Sequence, residues 1–455
     1  MPRLYQGNTY PDKSCGIQGT WGSLIAWLDP LGVVGDPQAE FVGISTDSRT
    51  VRLGEVFLAL RGEHFDGHGF ISQAMAAGAA GVISECPVPY PHLLVADTLA
   101  AYQRLAQVWR QQFQLPLIAI TGSAGKTSTK EMLAAALARY GTVLKTEANH
   151  NNDIGVAQTL LRLGSQHTYA VVEMAMRGPG EIARLARMAQ PTHALITNIG
   201  SAHIGRLGSR QAIAQAKCEL LQDFRGLAVL NGEDPLLLAT AASVLAGGEY
   251  LTYGLEQGQI RGQWDPQRQT VRVAGVELPV PLPGRHQAMN WMGVVATLIS
   301  LGLDLALLKD PLQLPSSEMG RNRRLVLSQG RLILDETYNA APEAMVAALE
   351  LLAQTPAGRR IAILGPMREL GDFAPQIYQQ LGQTLAALKL EQVLLLDPDG
   401  EMLGVPHNQR FSCPPALVEF LLAQTQPGDV YLCKAAHAIG LDRVVQELQQ
   451  AWQHP

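Results

Sequence analysis

The sequence predicts an α/β protein of three domains: a small α+β unit, a central doubly wound parallel sheet, and a Rossmann-like unit at the end. Three observations carry this expectation. At 455 residues the chain is about three times the usual domain length of ~150. Its texture changes at Leu115, from short apolar runs broken by turn residues to apolar runs alternating with helical stretches. A glycine-rich turn bearing a lysine then follows the first long apolar run.

Within residues 1–97, Phe41-Val-Gly-Ile44 and Val56-Phe-Leu-Ala-Leu60 read as short strands and Ile71 to Ala79 as a helical patch. In residues 98–313, strands at Leu117 to Thr121, Tyr169 to Glu173 and Ala194 to Asn198 alternate with helices such as Lys130 to Tyr140. The run Leu278-Pro-Val-Pro-Leu-Pro-Gly284 breaks this pattern before a helix from Ala288 to Leu301, and Pro311 to Pro315 suggests a hinge. In residues 314–455 the alternation restarts, with strands at Leu332 to Asp335, Ile361 to Leu364, Val393 to Leu396 and Val430 to Cys433, each followed by a helical stretch. No internal repeat marks a solenoid.

Composition excludes several classes. With 47% hydrophobic and 16% charged residues the chain is globular rather than disordered or coiled-coil, and its 44 glycines and 27 prolines follow no period. Lys and Arg number 35 against 40 Asp and Glu, a net charge of −5, so no basic field holds nucleic acid and an anionic ligand must be met by local groups. Cys15, Cys86, Cys218, Cys413 and Cys433 lie far apart with no C-x-x-C pair, which favours a reducing compartment over a disulfide or zinc framework. Met1-Pro-Arg-Leu-Tyr-Gln-Gly7 lacks the apolar core of a leader, and no apolar run approaches the ~20 residues of a membrane span, so a cytoplasmic protein is expected.

The chemistry is concentrated in a few residues. After the apolar run Leu117-Ile-Ala-Ile120 comes Thr121-Gly-Ser-Ala-Gly-Lys-Thr127, and then a helix. Backbone N–H groups of such a strand-to-helix turn point at phosphate oxygens, Lys126 reaches terminal phosphates and the Thr127 hydroxyl ligates Mg²⁺. The motif departs from the usual spacing in having Ile120 where a glycine stands and Gly122 as its first glycine. Glu173 ends a strand, where α/β ligand crevices open and a carboxylate can hold a metal; His203 follows the next strand and could face the same crevice. Lys217 falls in line with Ile213, Leu220, Leu221 and Phe224 on the apolar face of a helix from Arg210 to Phe224. A buried ammonium must be paired, snorkelling or chemically altered, either as a solvated stem or as a carbamate formed with CO₂ that binds metal. Ser45-Thr-Asp-Ser-Arg49, Gly62-Glu-His-Phe-Asp-Gly-His68 and Asn149-His-Asn-Asn-Asp153 read as polar turns.

Together these segments resemble the Mur ligase family over nearly the whole chain: Thr46-Asp-Ser-Arg49, Phe65-Asp-Gly-His68, the phosphate loop continuing to Thr129-Lys-Glu-Met132, Asn151-Asn-Asp-Ile-Gly155, Glu173-Met174, Thr197-Asn-Ile-Gly200 with Ala202-His203, Lys217, Asp335-Glu-Thr-Tyr-Asn339 and Ile363-Leu-Gly-Pro-Met-Arg-Glu-Leu-Gly371. The resemblance implies a UDP-substrate-binding domain (1–97), an ATP-binding central domain (98–313) and a Rossmann-like ligase domain (314–455). It implies ATP-dependent amide ligation through an acyl phosphate, with Mg²⁺ and a carbamylated Lys217, in peptidoglycan precursor synthesis and hence cell-wall biogenesis, cell shape and division. Phe65-Asp-Gly-His68 and Met367-Arg-Glu-Leu-Gly371 favour the member that joins D-alanyl-D-alanine to UDP-N-acetylmuramoyl-tripeptide, acting as a monomer.

Carried over residue by residue, Lys126, His203 and Lys217 would be catalytic. Thr121, Gly122, Ser123, Ala124, Gly125, Lys126, Thr127, Ser128, Asn290, Arg324, Asp335 and Glu336 would bind the nucleotide. Asp47, Ser48, Arg49, Asn151 and Asn152 would bind the UDP-linked substrate, and Thr127, Glu173, His203 and Lys217 would frame the metal sites. The chain departs from the family at Lys434-Ala-Ala-His437, Asp335-Glu336, Ala341 and Tyr378, all in the last third. Two alternatives stay open: a sibling amide ligase adding a single amino acid, and a catalytically weak nucleotide-binding protein kept for regulation.

Overall fold

The computed structural model of the chain describes residues 16–62, 65–245, 247–314 and 320–453. The amino-terminal run read for a leader, Cys15, the Glu63-His64 pair and the Pro315 end of the hinge lie outside the described residues.

The first unit is a five-stranded sheet in the spatial order Gly32–Val34, His92–Leu94, Gly81–Ser84, Val56–Leu58, Ile44–Ser45, parallel except at the Gly32–Val34 edge. Val56, Leu58, Ile83 and Leu93 are buried in it. The helical patch forms as Ile71–Ala76 and stops short of Ala79, because Gly78 takes a φ of +102° that ends the helix. The Phe65-Asp-Gly-His68 motif serves this unit's own architecture. Asp66 accepts the His68 amide at 3.0 Å and its ring Nδ1 at 2.6 Å, and His68 Nε2 accepts the Glu85 amide at 3.0 Å.

The central unit is a seven-stranded parallel sheet in the order Ile260–Arg261, Tyr250–Gly254, Leu227–Asn231, His193–Ile196, Leu117–Thr121, Tyr169–Glu173, Val143–Lys145. Its inner strands are largely apolar because both faces are covered. Ile118 and Ile120 pack with Leu133, Leu137 and Trp291 of helices Lys126–Leu137 and Arg285–Ser300, while Leu117 and Ala119 join the core under helices Thr98–Arg110, Asp153–Leu161 and Glu181–Ala189. Leu117–Thr121 lies between Tyr169–Glu173 and His193–Ile196, with Ile120 opposite Glu173 and Thr121 opposite Ile196. The chain crosses from one side of this strand to the other, so a switch point opens at its carboxyl end.

The proline run Leu278 to Gly284, read as a break, begins inside strand Val276–Pro279, the edge of a small antiparallel sheet with Gln263–Asp265 and Thr270–Val273. An edge strand tolerates proline because one side of its backbone needs no partner. The last unit is a six-stranded sheet in the order Arg323–Val326, Leu332–Glu336, Val430–Lys434, Arg360–Leu364, Gln392–Leu396, Gln409–Phe411, antiparallel only at Arg323–Val326. Two strands depart from the expected alternation: Arg323–Val326 runs into Leu332–Glu336 with no α-helix between them, and the edge strand Gln409–Phe411 comes between Gln392–Leu396 and helix Pro414–Gln424. Among the described residues no helix is long and apolar enough to cross a membrane.

Candidate active site

The carboxyl ends of the central strands open into a cleft of about 710 Å³ between the central and last units. Its floor is the glycine-rich loop. Gly122 (φ +148°) and Gly125 (φ +80°) adopt backbone conformations that a Cβ disfavours. A Cβ on Gly125 would stand 2.5 Å from Asn290 Oδ1, and one on Gly122 would overlap the Thr197 hydroxyl. Asn198 braces the loop: its carbonyl accepts from Ser123 N and its Oδ1 from Ala124 N, both at 3.0 Å. Thr197 Oγ1 donates to the Ala124 carbonyl at 2.6 Å. Lys126 Nζ curls back onto the Gly122 carbonyl at 2.8 Å, and Ser128 lines the cleft. Burial pushes the Lys126 pKa down, with Glu173 opposing and Arg321 adding to the shift.

Glu173 is 1% exposed, and the Thr127 hydroxyl lies 3.0 and 3.2 Å from its two oxygens. Asn151 Nδ2 donates to Glu173 Oε1 at 2.8 Å. Lys130, wholly buried, places its ammonium 3.7 Å from Glu173 Oε2 and 3.1 Å from both Glu131 Oε1 and the Ala148 carbonyl. A hydroxyl and a carboxylate at a phosphate loop are hard oxygen donors. No group of three His, Cys, Asp or Glu that could hold a metal occurs among the described residues. A cation at Thr127 and Glu173 would therefore complete its shell from phosphate oxygens and water, the usual manner of Mg²⁺, so the donor set fits that ion.

His203 lines the same cleft from a turn in the left-handed region (φ +68°). Burial pushes its pKa down, with the Glu369 carboxylate opposing. Lys217 is 1% exposed on helix Arg210–Cys218, which ends before the expected Phe224 by passing into a 3₁₀ turn at Glu219–Leu221. It does not line the cleft, yet its charge is felt at His203. Its amine makes no hydrogen bond among the described residues, and burial, with Lys126 adding, drives its pKa well below the ordinary lysine value.

The last unit supplies the opposite wall. Arg321 Nη1 donates to the Thr127 hydroxyl, and Asn322 Nδ2 donates to Ser128 Oγ at 2.8 Å. The Arg321 guanidinium lies 3.8 Å over the Tyr338 ring, and His437 stacks on that ring at 5.8 Å. Lys434 donates to the Asn339 carbonyl at 3.1 Å and lies 3.5 Å from Glu336. Of the predicted nucleotide residues outside the loop, Asn290 of the central unit and Glu336 of the last line the cleft, whereas Asp335 is buried on Thr337 and Arg324 is exposed on strand Arg323–Val326 and does not line it. Arg321, three residues earlier, lines the cleft. Arg321, Arg323 and Arg324 crowd one short stretch, and only the start of the strand after Gly320 (φ +81°) separates their directions. Tyr378, a departure from the family pattern, is buried with its hydroxyl accepting the Met367 amide at 3.0 Å, and Ala341 begins helix Pro342–Gln354 with no side-chain cap.

Asn152 uses its side chain to cap helix Asp153–Leu161, accepting the Gly155 amide at 2.9 Å, so only Asn151 of that pair lines the cleft. A second cleft of about 680 Å³ lies between the first and central units, lined by Ser45, Thr46, Asp47, Arg52, Gln158 and Arg162 among others. Arg49, 80% exposed, forms a bidentate pair with Asp47 (2.7 and 2.9 Å), which holds that carboxyl down at about 2. Ser48 is turned inward, donating to Gln73 at 3.1 Å.

A braced phosphate loop, a strand-end carboxylate on its threonine and a Rossmann-like unit closing over both define a nucleotide-dependent enzyme of the P-loop class. Family models match the chain as the Mur ligase middle domain over residues 120–298, the Mur ligase glutamate ligase domain over 320–437 and the Mur ligase family catalytic domain over 40–140. The chain belongs to the Mur ligase family. It is 48% identical to the UDP-N-acetylmuramoyl-tripeptide--D-alanyl-D-alanine ligase of Synechocystis sp., over 89% of this chain and 91% of that protein. It is 33% identical to the enzyme of that name from Escherichia coli, over 90% and 93%. Among solved structures, MurF from Acinetobacter baumannii superposes with a TM-score of 0.87 at 30% identity, covering 96% of this chain and 99% of that one. MurF ligase from Thermotoga maritima in complex with ADP gives 0.80 at 29% identity, over 90% and 97%.

Proposed function

We propose that the chain is an ATP-dependent amide ligase that joins D-alanyl-D-alanine to UDP-N-acetylmuramoyl-tripeptide in peptidoglycan precursor synthesis. The observation that carries it is one cleft in which Lys126, Thr127 and Glu173 of the central unit face Arg321, Glu336 and Lys434 of the last. The substrate carboxylate attacks the γ-phosphorus of ATP, ADP leaves, and the dipeptide amine then attacks the acyl phosphate and expels phosphate. Bringing two negative charges to ~4 Å costs about 4 kcal/mol at an effective dielectric of 20, roughly a thousandfold in rate. Lys126 and Arg321 offset this from opposite walls, acting as clamps on the phosphoryl oxygens. Thr127 and Glu173 would hold Mg²⁺, which when bound would supply further charge neutralisation.

Lys217 is read as carbamylated. Its depressed pKa favours the neutral amine, whose lone pair would attack CO₂ with loss of a proton; the resulting anion, with His203, would frame a second metal site. The UDP end is assigned to the second cleft, which Asp47 lines and beside which Arg49 is held by its pair with Asp47. Helix Asp153–Leu161 runs from Asn151 at the first cleft to Gln158 and Leu161 at the second, a separation of about 10 to 15 Å at 1.5 Å per residue, which suits an extended substrate. The division of labour falls at about residues 97 and 313. The need for nucleotide substrates assigns the enzyme to the cytoplasm, and a monomer suffices because both walls of the cleft come from one chain. With ¹⁸O in the tripeptide's reacting carboxyl, one label should appear in the released phosphate; its retention in the product alone would contradict the acyl-phosphate route.

A further inference from the structure

We propose that Glu369, on the last unit, is a positioning residue for His203 and selects which ring nitrogen faces the cleft, but only while the last unit is docked on the central one. The inference rests on the reading of His203 as a metal ligand. Three contacts run from this one residue to one turn. The Glu369 carboxylate engages His203 Nδ1 through Oε2, accepts from Arg206 Nε through Oε1 at 2.8 Å, and its backbone carbonyl accepts from Gly205 N at 2.9 Å. His203 (φ +68°) and Glu369 (φ +62°) both hold left-handed backbone that persists in a non-glycine residue only where its surroundings fix it. The backbones also meet at glycines: a Cβ on Gly205 would lie 2.6 Å from Gly371 N. His203 lines the cleft and Glu369 does not, so the carboxylate approaches the ring from outside.

With Nδ1 engaged by a carboxylate, Nε2 is the ring nitrogen left for a ligand. Carboxylates behind metal-binding imidazoles fix the tautomer and the ring's direction, and their loss typically lowers metal affinity or activity 10- to 100-fold. Here that carboxylate arrives on a different unit, so docking and completion of the His203 site are one event.

The test uses the full chain with ADP and Mn²⁺ as a paramagnetic probe, comparing His203→Ala, Glu369→Ala, Glu369→Gln and Arg206→Ala. Glu369→Ala should weaken the His203-dependent Mn²⁺ about tenfold or more and lower kcat comparably, with KM for ATP within about twofold. Glu369→Gln, which keeps the side-chain volume and secures a folded protein, should show a smaller part of the same loss. Arg206→Ala keeps the Nδ1 contact and should stay within about threefold of the parent. In the double variant, Glu369→Ala should add nothing to His203→Ala. Additive losses, or equal losses in Arg206→Ala and Glu369→Ala, would make Glu369 a docking contact and overturn the proposal. So would parental Mn²⁺ binding in Glu369→Ala while His203→Ala loses it. Parental binding in His203→Ala would remove the metal-site reading itself, and the proposal with it.

Discussion

Lys217 is legible in the sequence because helical spacing alone puts an ammonium in line with Ile213 and Leu220, and it is buried there. Lys217→Ala should abolish ligation while leaving the melting temperature nearly unchanged, with partial rescue by a short carboxylic acid that replaces the carbamate. An alanine variant of full activity would end that role. Lys130 is not legible as a site residue, although it is equally buried and lies beside Glu173, since nothing in Thr129-Lys-Glu-Met132 distinguishes it from an exposed helical lysine. His286 illustrates a titration that only the fold sets. Burial, with the Lys434 charge adding, pushes it down to about 4. The unfolded chain then binds more protons between the ordinary 6.5 and 4, so this contribution is complete above 6.5 and fades as pH falls through that window. At 1.36 kcal/mol per unit it is at most about 3 to 4 kcal/mol, and less because the ring is partly solvated. His286→Asn should therefore lose less melting temperature than the parent on acidification from about pH 7.5 to 5; an equal loss would contradict this.

At the level of elements, the long buried strands are readable almost to the residue: Leu117–Thr121 and Tyr169–Glu173 stand where their apolar runs place them. Burial on both faces leaves a continuous apolar run, and its short length and β-branched residues favour a strand over a buried helix. The helix after the phosphate loop begins at Lys126, earlier than the expected Lys130, because Gly125 in the left-handed region starts it among polar residues that carry no periodicity. Short edge strands such as Gln263–Asp265 and Gln409–Phe411 escape a sequence reading for the converse reason: half-exposed edges of three residues have too few apolar positions to show alternation. Gly125 gives the sharpest test of an element. Gly125→Ala introduces a Cβ at φ +80° against Asn290, so ADP affinity should fall at least tenfold while helix content is retained. Calorimetric titration checks it, and an affinity within twofold of the parent would mean the loop is not held by its glycines.

For the molecule as a whole, the sequence indicates three units and one cleft but not how the last unit seats on the central one. That seating is made of single polar contacts between residues far apart in the chain, Arg321 on Thr127, Asn322 on Ser128 and Glu369 on His203, and no local pattern encodes them. The same wall carries the chain's departures from its relatives' pattern. His437 stacks on Tyr338 and Lys434 lies on the Asn339 carbonyl, so basic side chains remain on that wall. Loss of one charge-assisted bond there is worth about 1.5 to 3 kcal/mol, which raises a Michaelis constant roughly ten- to a hundredfold without abolishing the reaction. The central claim is therefore tested by asking which amine releases phosphate. With ATP, Mg²⁺ and UDP-N-acetylmuramoyl-tripeptide, saturating D-alanyl-D-alanine should release one phosphate per amide bond formed, and single amino acids should release none. Silence with the dipeptide, together with turnover when lysine or diaminopimelate is offered with the UDP-linked dipeptide precursor, would contradict it.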